Sequence, residues 1–237
     1  MKSVIPNLLT LANLAAGLFA IVAIFEANVV LAAYFLAASL IFDFLDGLVA
    51  RALGVHSELG LQLDSLADLV SFGVAPGLML YQLFLEVSKS GEPLPAFLPY
   101  LAFLLPIFSA LRLAKFNLDT RQTENFIGLP TPANTILIYS LAIWALKTSN
   151  PTTEAILLHP FFLSFLTVAS SLLLVAELPL LSLKVKDLSW KSNKSRILLI
   201  AAIVLLFAVL RFRAFAFVIP LYLLISIFFK PKNREIE

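Results

Sequence analysis

The chain has 237 residues, 60% of them hydrophobic and 14% charged, and its mean hydropathy is +0.96. That excludes a soluble globular domain, where roughly 45–50% of residues are apolar and about 25% charged, and it excludes a disordered chain, which is poor in apolar residues. With no Cys and a net charge of +2, disulfides and thiolate chemistry are excluded, and nothing indicates a nucleic-acid partner.

What remains is an all-α integral membrane protein, because the apolar runs are long and continuous instead of alternating. In chain order the runs predict helices at 7–25, 29–50, 61–85, 95–116, 132–147, 155–176, 197–212 and 214–229. About eight spans of ~20 residues fill the chain. Lys2 leads straight into the first run without a small-residue cleavage site, so that run reads as a retained helix. The last two runs read as a hairpin. One fused helix would place Arg211 and Arg213 near mid-membrane, at about 2.5–3.5 kcal/mol each.

The basic residues support this count. Lys2, Arg51, Arg112, Lys115, Arg121, Lys184, Lys186, Lys191, Lys194, Arg196, Lys230, Lys232 and Arg234 fall on one side. The other side receives Lys89, Lys147, Arg211 and Arg213. The first side therefore reads as cytoplasmic, with both termini there. The connection 183–196 is the longest basic one. Tyr81, Tyr100, Trp144 and Trp190 lie near run ends, as interfacial aromatics do. Pro76, Pro99, Pro106 and Pro220 fall inside apolar runs and are predicted to kink them. His56 reads as a loop residue and His159 as an interface residue.

Four carboxylates stand out. Asp43 and Asp46 lie near the end of the second predicted helix, and Asp64 and Asp68 near the start of the third. An i,i+3 pair and an i,i+4 pair each share one helix face, and the hairpin brings the two faces together. Four like charges in a partly desolvated site need a counter-charge. Arg51 and His56, the nearby basic residues, cannot balance them. One or two hard divalent cations can, with oxygen-only ligation favouring Mg²⁺, Mn²⁺ or Ca²⁺ over Zn²⁺. A proton relay in a transporter is the other functional reading of the acids alone. Gly47, Ala50 and Gly60 lie one turn from these acids on the same faces. They read as a groove for a bulky ligand or as close helix packing.

Together these residues read Asp43-x2-Asp46-Gly47-x2-Ala50-Arg51-x8-Gly60-x3-Asp64-x3-Asp68. The pattern resembles the signature of the CDP-alcohol phosphotransferase family at all eight fixed positions, spacing included. The stretches Pro6–Asn13, Asp64–Gly77, Arg112–Asn117 and Gly128–Asn134 are similar to the phosphatidylserine synthase branch of that family. Lys115 stands where that branch has Arg as often as Lys. The resemblance covers 1–176 as a six-helix transmembrane core. It leaves 177–237 as a basic connection, two added helices and a short basic tail.

The resemblance implies an enzyme of phospholipid synthesis in the inner membrane, with its active site on the cytoplasmic side. It would transfer the phosphatidyl group of CDP-diacylglycerol to the hydroxyl of L-serine, giving phosphatidylserine and CMP. Asp43, Asp46, Asp64 and Asp68 would hold two divalent cations, Mg²⁺ or Mn²⁺, with Ca²⁺ as a further occupant. Asp68 would also be the general base. Asn7, Thr10, Asn13, Gly47, Ala50, Arg51 and Gly60 would receive CDP-diacylglycerol. Arg112, Lys115, Asn117, Thr131 and Asn134 would receive serine or a phosphate oxygen, or serve as interfacial anchors. The resemblance also implies a homodimer. Other acceptors within the family, glycerol 3-phosphate or inositol phosphate, and a cation- or proton-coupled transporter are the alternatives.

Overall fold

The computed structural model describes residues 3–55, 57–89, 94–118, 128–178 and 190–228, and every regular element in them is helical. Helix α1 (Val4–Phe25) starts before its apolar run, because Pro6 in a first turn costs no hydrogen bond. Its buried positions Thr10, Asn13, Gly17, Ala20 and Ile24 recur at three- and four-residue steps. Such a stripe of small and polar residues lets neighbouring helices approach closely.

A tight reversal through Ala27, at φ 54°, returns the chain along α1 as α2 (Val29–Leu53). Asn28 caps α2, its Oδ1 accepting the Leu31 N–H at 3.1 Å. Gly54, at φ 64°, closes α2. Its N–H and that of Val55 bond back to the Arg51 and Ala50 carbonyls. Ser57 Oγ then accepts the Gly60 N–H at 3.0 Å and opens α3. This reversal lays the end of α2 beside the start of α3.

Helix α3 (Glu58–Lys89) is continuous over 32 residues, with a π turn at Val70–Val74. Pro76 explains the π turn: it has no N–H for the Phe72 carbonyl, and its ring crowds that carbonyl. Thr135 Oγ1 shares its single proton between the freed Phe72 oxygen at 3.0 Å and the Thr131 carbonyl at 2.8 Å. The kink predicted at Pro76 is thus absorbed by a π turn and an interhelical hydrogen bond. Thr135→Val removes that shared hydrogen bond and lowers stability by about 1 kcal/mol. The check is the thermal unfolding midpoint in detergent.

Helix α4 (Leu98–Leu118) begins as a 3-10 helix over Leu98–Phe103 and runs antiparallel to α3. Two glycines set the approach. A Cβ on Gly73 would lie 2.9 Å from Ser109 Cβ, and one on Gly77 would lie 2.8 Å from Pro106 Cδ. At the far end Tyr81, Tyr100 and Phe103 form a ring cluster with centroids 5.6–5.9 Å apart. Helix α5 (Thr131–Lys147) is held at its start by the Gly128 N–H, which bonds to Leu178 O at 3.1 Å.

The helix predicted at 155–176 is two helices, α6 (Pro151–Leu157) and α7 (Pro160–Val175), bent by 48°. Pro160 forces His159 into extended backbone. His159 Nδ1 then accepts the Phe161 N–H at 3.2 Å, so this residue caps α7. Helices α8 (Trp190–Leu210) and α9 (Phe215–Phe228) are joined by the turn Arg211–Ala214, with Arg211 at φ 52°. Leu199 packs with Ile225, so the two form a hairpin, as the cost of burying two Arg demands. Helix α9 lies against α5 through Ile219 and Leu137, and Arg213 sits 5.8 Å from the Trp144 ring.

Among the described residues five helical stretches are long and apolar enough to cross a membrane, or six if α6 and α7 count as one. The stretch Arg196–Phe228 is the hairpin. Helix α5, at 17 residues, is at the short end of the range for a crossing. The chain is a multi-pass all-α membrane protein. Phe72, Leu80, Phe84, Leu105 and Ile138 fill its core between α3, α4 and α5. His56, Lys2, Arg121, Lys230, Lys232, Arg234 and the first half, 183–189, of the basic connection 183–196 lie outside the described residues.

Candidate active site

The reversal at Gly54 and the antiparallel course of α2 and α3 decide what the acids do. Asp43, Asp64 and Asp68 each present a carboxylate oxygen, and these oxygens lie within 4.8 Å of one another. Asp46 does not meet all three within that distance. It is 6% exposed, and its Oδ2 accepts from Thr10 Oγ1 of α1 at 2.6 Å. A hydroxyl has one proton, and the short contact to the carboxylate outcompetes the 3.1 Å contact to Pro6 O.

Among the described residues, no Lys or Arg lies within ion-pairing distance of these four acids, and the ion pair of Lys89 with Glu86 is at the other end of α3. Three half-buried carboxylates at this spacing, with no ion pair to them among the described residues, fit a hard divalent cation held by oxygen alone.

Beside the acids opens a cavity of about 440 Å³. Asn7, Thr10, Asp46, Gly47, Ala50, Gly60 and Asp64 line it, together with Ser3, Ser57 and Glu58. Its room depends on the absence of side chains. A Cβ on Gly60 would lie 2.8 Å from Ser57 Oγ and 3.3 Å from Asn7 Oδ1. Arg51 is exposed and folds back over Gly47, where a Cβ would lie 3.4 Å from its Nη1.

Asn13 is elsewhere. It is fully buried, and its Nδ2 donates to Asp68 Oδ1 at 3.1 Å. Its Oδ1 accepts from Ser39 Oγ of α2, and its carbonyl accepts from Ser71 Oγ of α3 at 3.2 Å. Ser39 and Ser71 are site residues that sequence reasoning misses. Ser39 has a signal, because it lies one turn before Asp43 on the same face.

The residues predicted for the acceptor divide into two groups. Arg112 is 9% exposed, its Nε has no hydrogen-bond partner, and its charge interacts with that of Asp68. Thr131 and Asn134 are 1% exposed, and their side-chain polar atoms have no partner either. Thr135, one residue on, bonds the π turn of α3, so this face of α5 looks towards the same helix that carries Asp68. Lys115, by contrast, is exposed. Asn117 is committed to structure, donating to Ser65 Oγ at 2.8 Å and tying the end of α4 to the start of α3.

Comparison with known proteins bears on this arrangement. A family profile described as CDP-alcohol phosphatidyltransferase matches residues 3–176. A Helicobacter pylori (strain J99) protein named CDP-diacylglycerol–serine O-phosphatidyltransferase is 39% identical over 136 residues, which are 56% of this chain and 54% of that protein. A Bacillus subtilis protein of the same name is 36% identical over 156 residues, 64% of this chain and 80% of its own length. One from Mycobacterium leprae is 34% identical over 185 residues, 75% and 58% of the two chains. The chain thus spans little more than half the length of the Helicobacter and Mycobacterium relatives. The aligned region contains the four acids, the cavity beside them and the helices that hold both, and the chain belongs to the CDP-alcohol phosphatidyltransferase family.

Proposed function

We propose that the chain makes phosphatidylserine and CMP from CDP-diacylglycerol and L-serine at the cytoplasmic face of the inner membrane. The observation that carries this is the carboxylate trio beside a glycine-lined cavity in a member of this family. The names of its relatives support serine as the acceptor. Asp43, Asp46, Asp64 and Asp68 would hold two divalent cations, Mg²⁺ or Mn²⁺. Such ions, when bound, supply charge neutralisation for the pyrophosphate and the departing CMP.

In this reading the chain does the rest by position. The cavity admits the nucleotide end of the lipid, with Asn7, Thr10 and Gly60 on its wall and Arg51 at its edge. Asp68 takes the proton of the serine hydroxyl. The serine oxygen attacks the β-phosphorus as its bond to CMP breaks. Arg112, Thr131 and Asn134 have unmade hydrogen bonds that suit the carboxylate and amine of a small zwitterion. Among the described residues Arg112 is the one buried cation, which favours serine over an acceptor that carries phosphate. The homodimer, and the division into a 1–176 core and a 177–237 addition, belong to this reading on resemblance alone.

Incorporation of labelled serine into lipid by the purified chain in detergent, with Mn²⁺ and CDP-diacylglycerol, tests the reading. Incorporation that EDTA abolishes supports it; none from a folded sample rejects it. Gly60→Leu fills part of the cavity, and the KM for CDP-diacylglycerol rises roughly tenfold with a smaller change for serine. Equal KM values in the variant and the parent chain would place the nucleotide elsewhere.

A further inference from the structure

We propose that Ser39 and Asn13 form a relay that sets the orientation of the Asp68 carboxylate. The chemistry of the three groups dictates its direction. A carboxylate only accepts hydrogen bonds, so Asn13 must turn Nδ2 towards Asp68 Oδ1, where the distance is 3.1 Å. Its Oδ1 then points the other way and needs a donor. Ser39 is fully buried, and its hydroxyl meets that oxygen. The same hydroxyl also lies 3.2 Å from the Asn13 carbonyl, but its single proton goes to the nearer Oδ1. The backbone of Asn13 is pinned from a third helix by Ser71 Oγ at 3.2 Å. Side chain and backbone of Asn13 are therefore both fixed, by α2 and α3 together.

One Asp68 oxygen is engaged by this amide. Besides this contact, Asp68 presents a carboxylate oxygen within 4.8 Å of those of Asp43 and Asp64. Asn13 has both polar atoms engaged and lies outside the lining of the 440 Å³ cavity. That makes it a positioning residue for the carboxylate, not a contact of the nucleotide. Ser39 acts one step further out. The inference rests on the proposed function in one respect, the role of Asp68 as base.

Two measurements on the full chain in detergent separate the inference from that reading. The first is the Asn13 side-chain amide resonance in isotope-labelled, metal-free protein, assigned by its loss in Asn13→Asp. It should shift in both Ser39→Ala and Asp68→Asn, and no shift in either variant overturns the relay. The second is steady-state kinetics of Ser39→Ala, which removes a single oxygen and leaves room for the fold. Here kcat should fall about tenfold, with the KM for CDP-diacylglycerol held within about twofold. Unchanged kcat, or a raised KM with kcat unchanged, overturns the relay, the latter returning Asn13 to the nucleotide. If the parent chain shows no serine-dependent turnover, the functional reading fails, and the amide resonance alone decides the relay.

Discussion

Asp68→Asn removes serine-dependent CMP release, with kcat falling by about 10²–10⁴-fold, while the protein stays folded. The substitution is nearly isosteric. An Asn at this position keeps an oxygen that accepts from Asn13 Nδ2, the bond made at 3.1 Å in the parent chain. The packing around residue 68 therefore survives, and what is lost is one negative charge and, in the proposed role of Asp68, the proton acceptor. Asp68 also belongs to the carboxylate trio, so the assay is repeated across Mn²⁺ concentrations. A rate that excess Mn²⁺ does not restore assigns the loss to proton transfer. Recovery at high Mn²⁺ reduces Asp68 to a ligand. Retention of more than about a tenth of the parent rate would move the base elsewhere.

Gly17→Ala disrupts the helix packing on which the same site stands. The added Cβ would lie 2.2 Å from Ser71 Oγ and 2.9 Å from Ser71 Cα. The hydroxyl can rotate away, but the backbone of α3 cannot, so α1 and α3 must separate. Overpacking of this kind costs about 1–3 kcal/mol. The separation also stretches the Ser71–Asn13 and Asn13–Asp68 hydrogen bonds, at 3.2 and 3.1 Å. Activity therefore drops further than the folded fraction does. Adding Ser71→Ala restores it only in part, since the clash with the backbone of residue 71 remains. The checks are the unfolding midpoint in detergent and the CMP release rate at a temperature where the variant is folded. A variant that unfolds at the parent temperature would show that the helices are not held at this distance.

Much of this architecture is legible in the residues. Continuous apolar runs mark the helices, because a membrane demands length and hydropathy together. The pair Arg211 and Arg213 marks the final hairpin, because burying both is costly, and Leu199 on Ile225 bears that out. The eight-position pattern marks the family, whose profile matches residues 3–176. Other features depend on tertiary partners that spacing cannot supply. Pro76 predicts a kink, but Thr135 takes up the orphaned carbonyl and α3 continues through a π turn. Pro160 splits one predicted helix into two, through its effect on His159. The four acids look equivalent in sequence, yet Asp46 alone carries the hydrogen bond from Thr10, and the other three close up within 4.8 Å. Asn117 and Lys115 share a motif with Arg112, but only the face of α4 that meets α3 decides which is buried. Ser39 and Ser71 carry no motif of their own. Their importance appears once Asn13 is seen between them.

The central claim is tested most directly by CMP release from CDP-diacylglycerol by the purified chain in detergent. Mn²⁺ or Mg²⁺ is supplied, with EDTA as the control, and L-serine, glycerol 3-phosphate and inositol phosphate are offered separately. Release that needs L-serine and stops with EDTA is the predicted result. Release with glycerol 3-phosphate or inositol phosphate instead of serine, or none from a demonstrably folded sample, contradicts it.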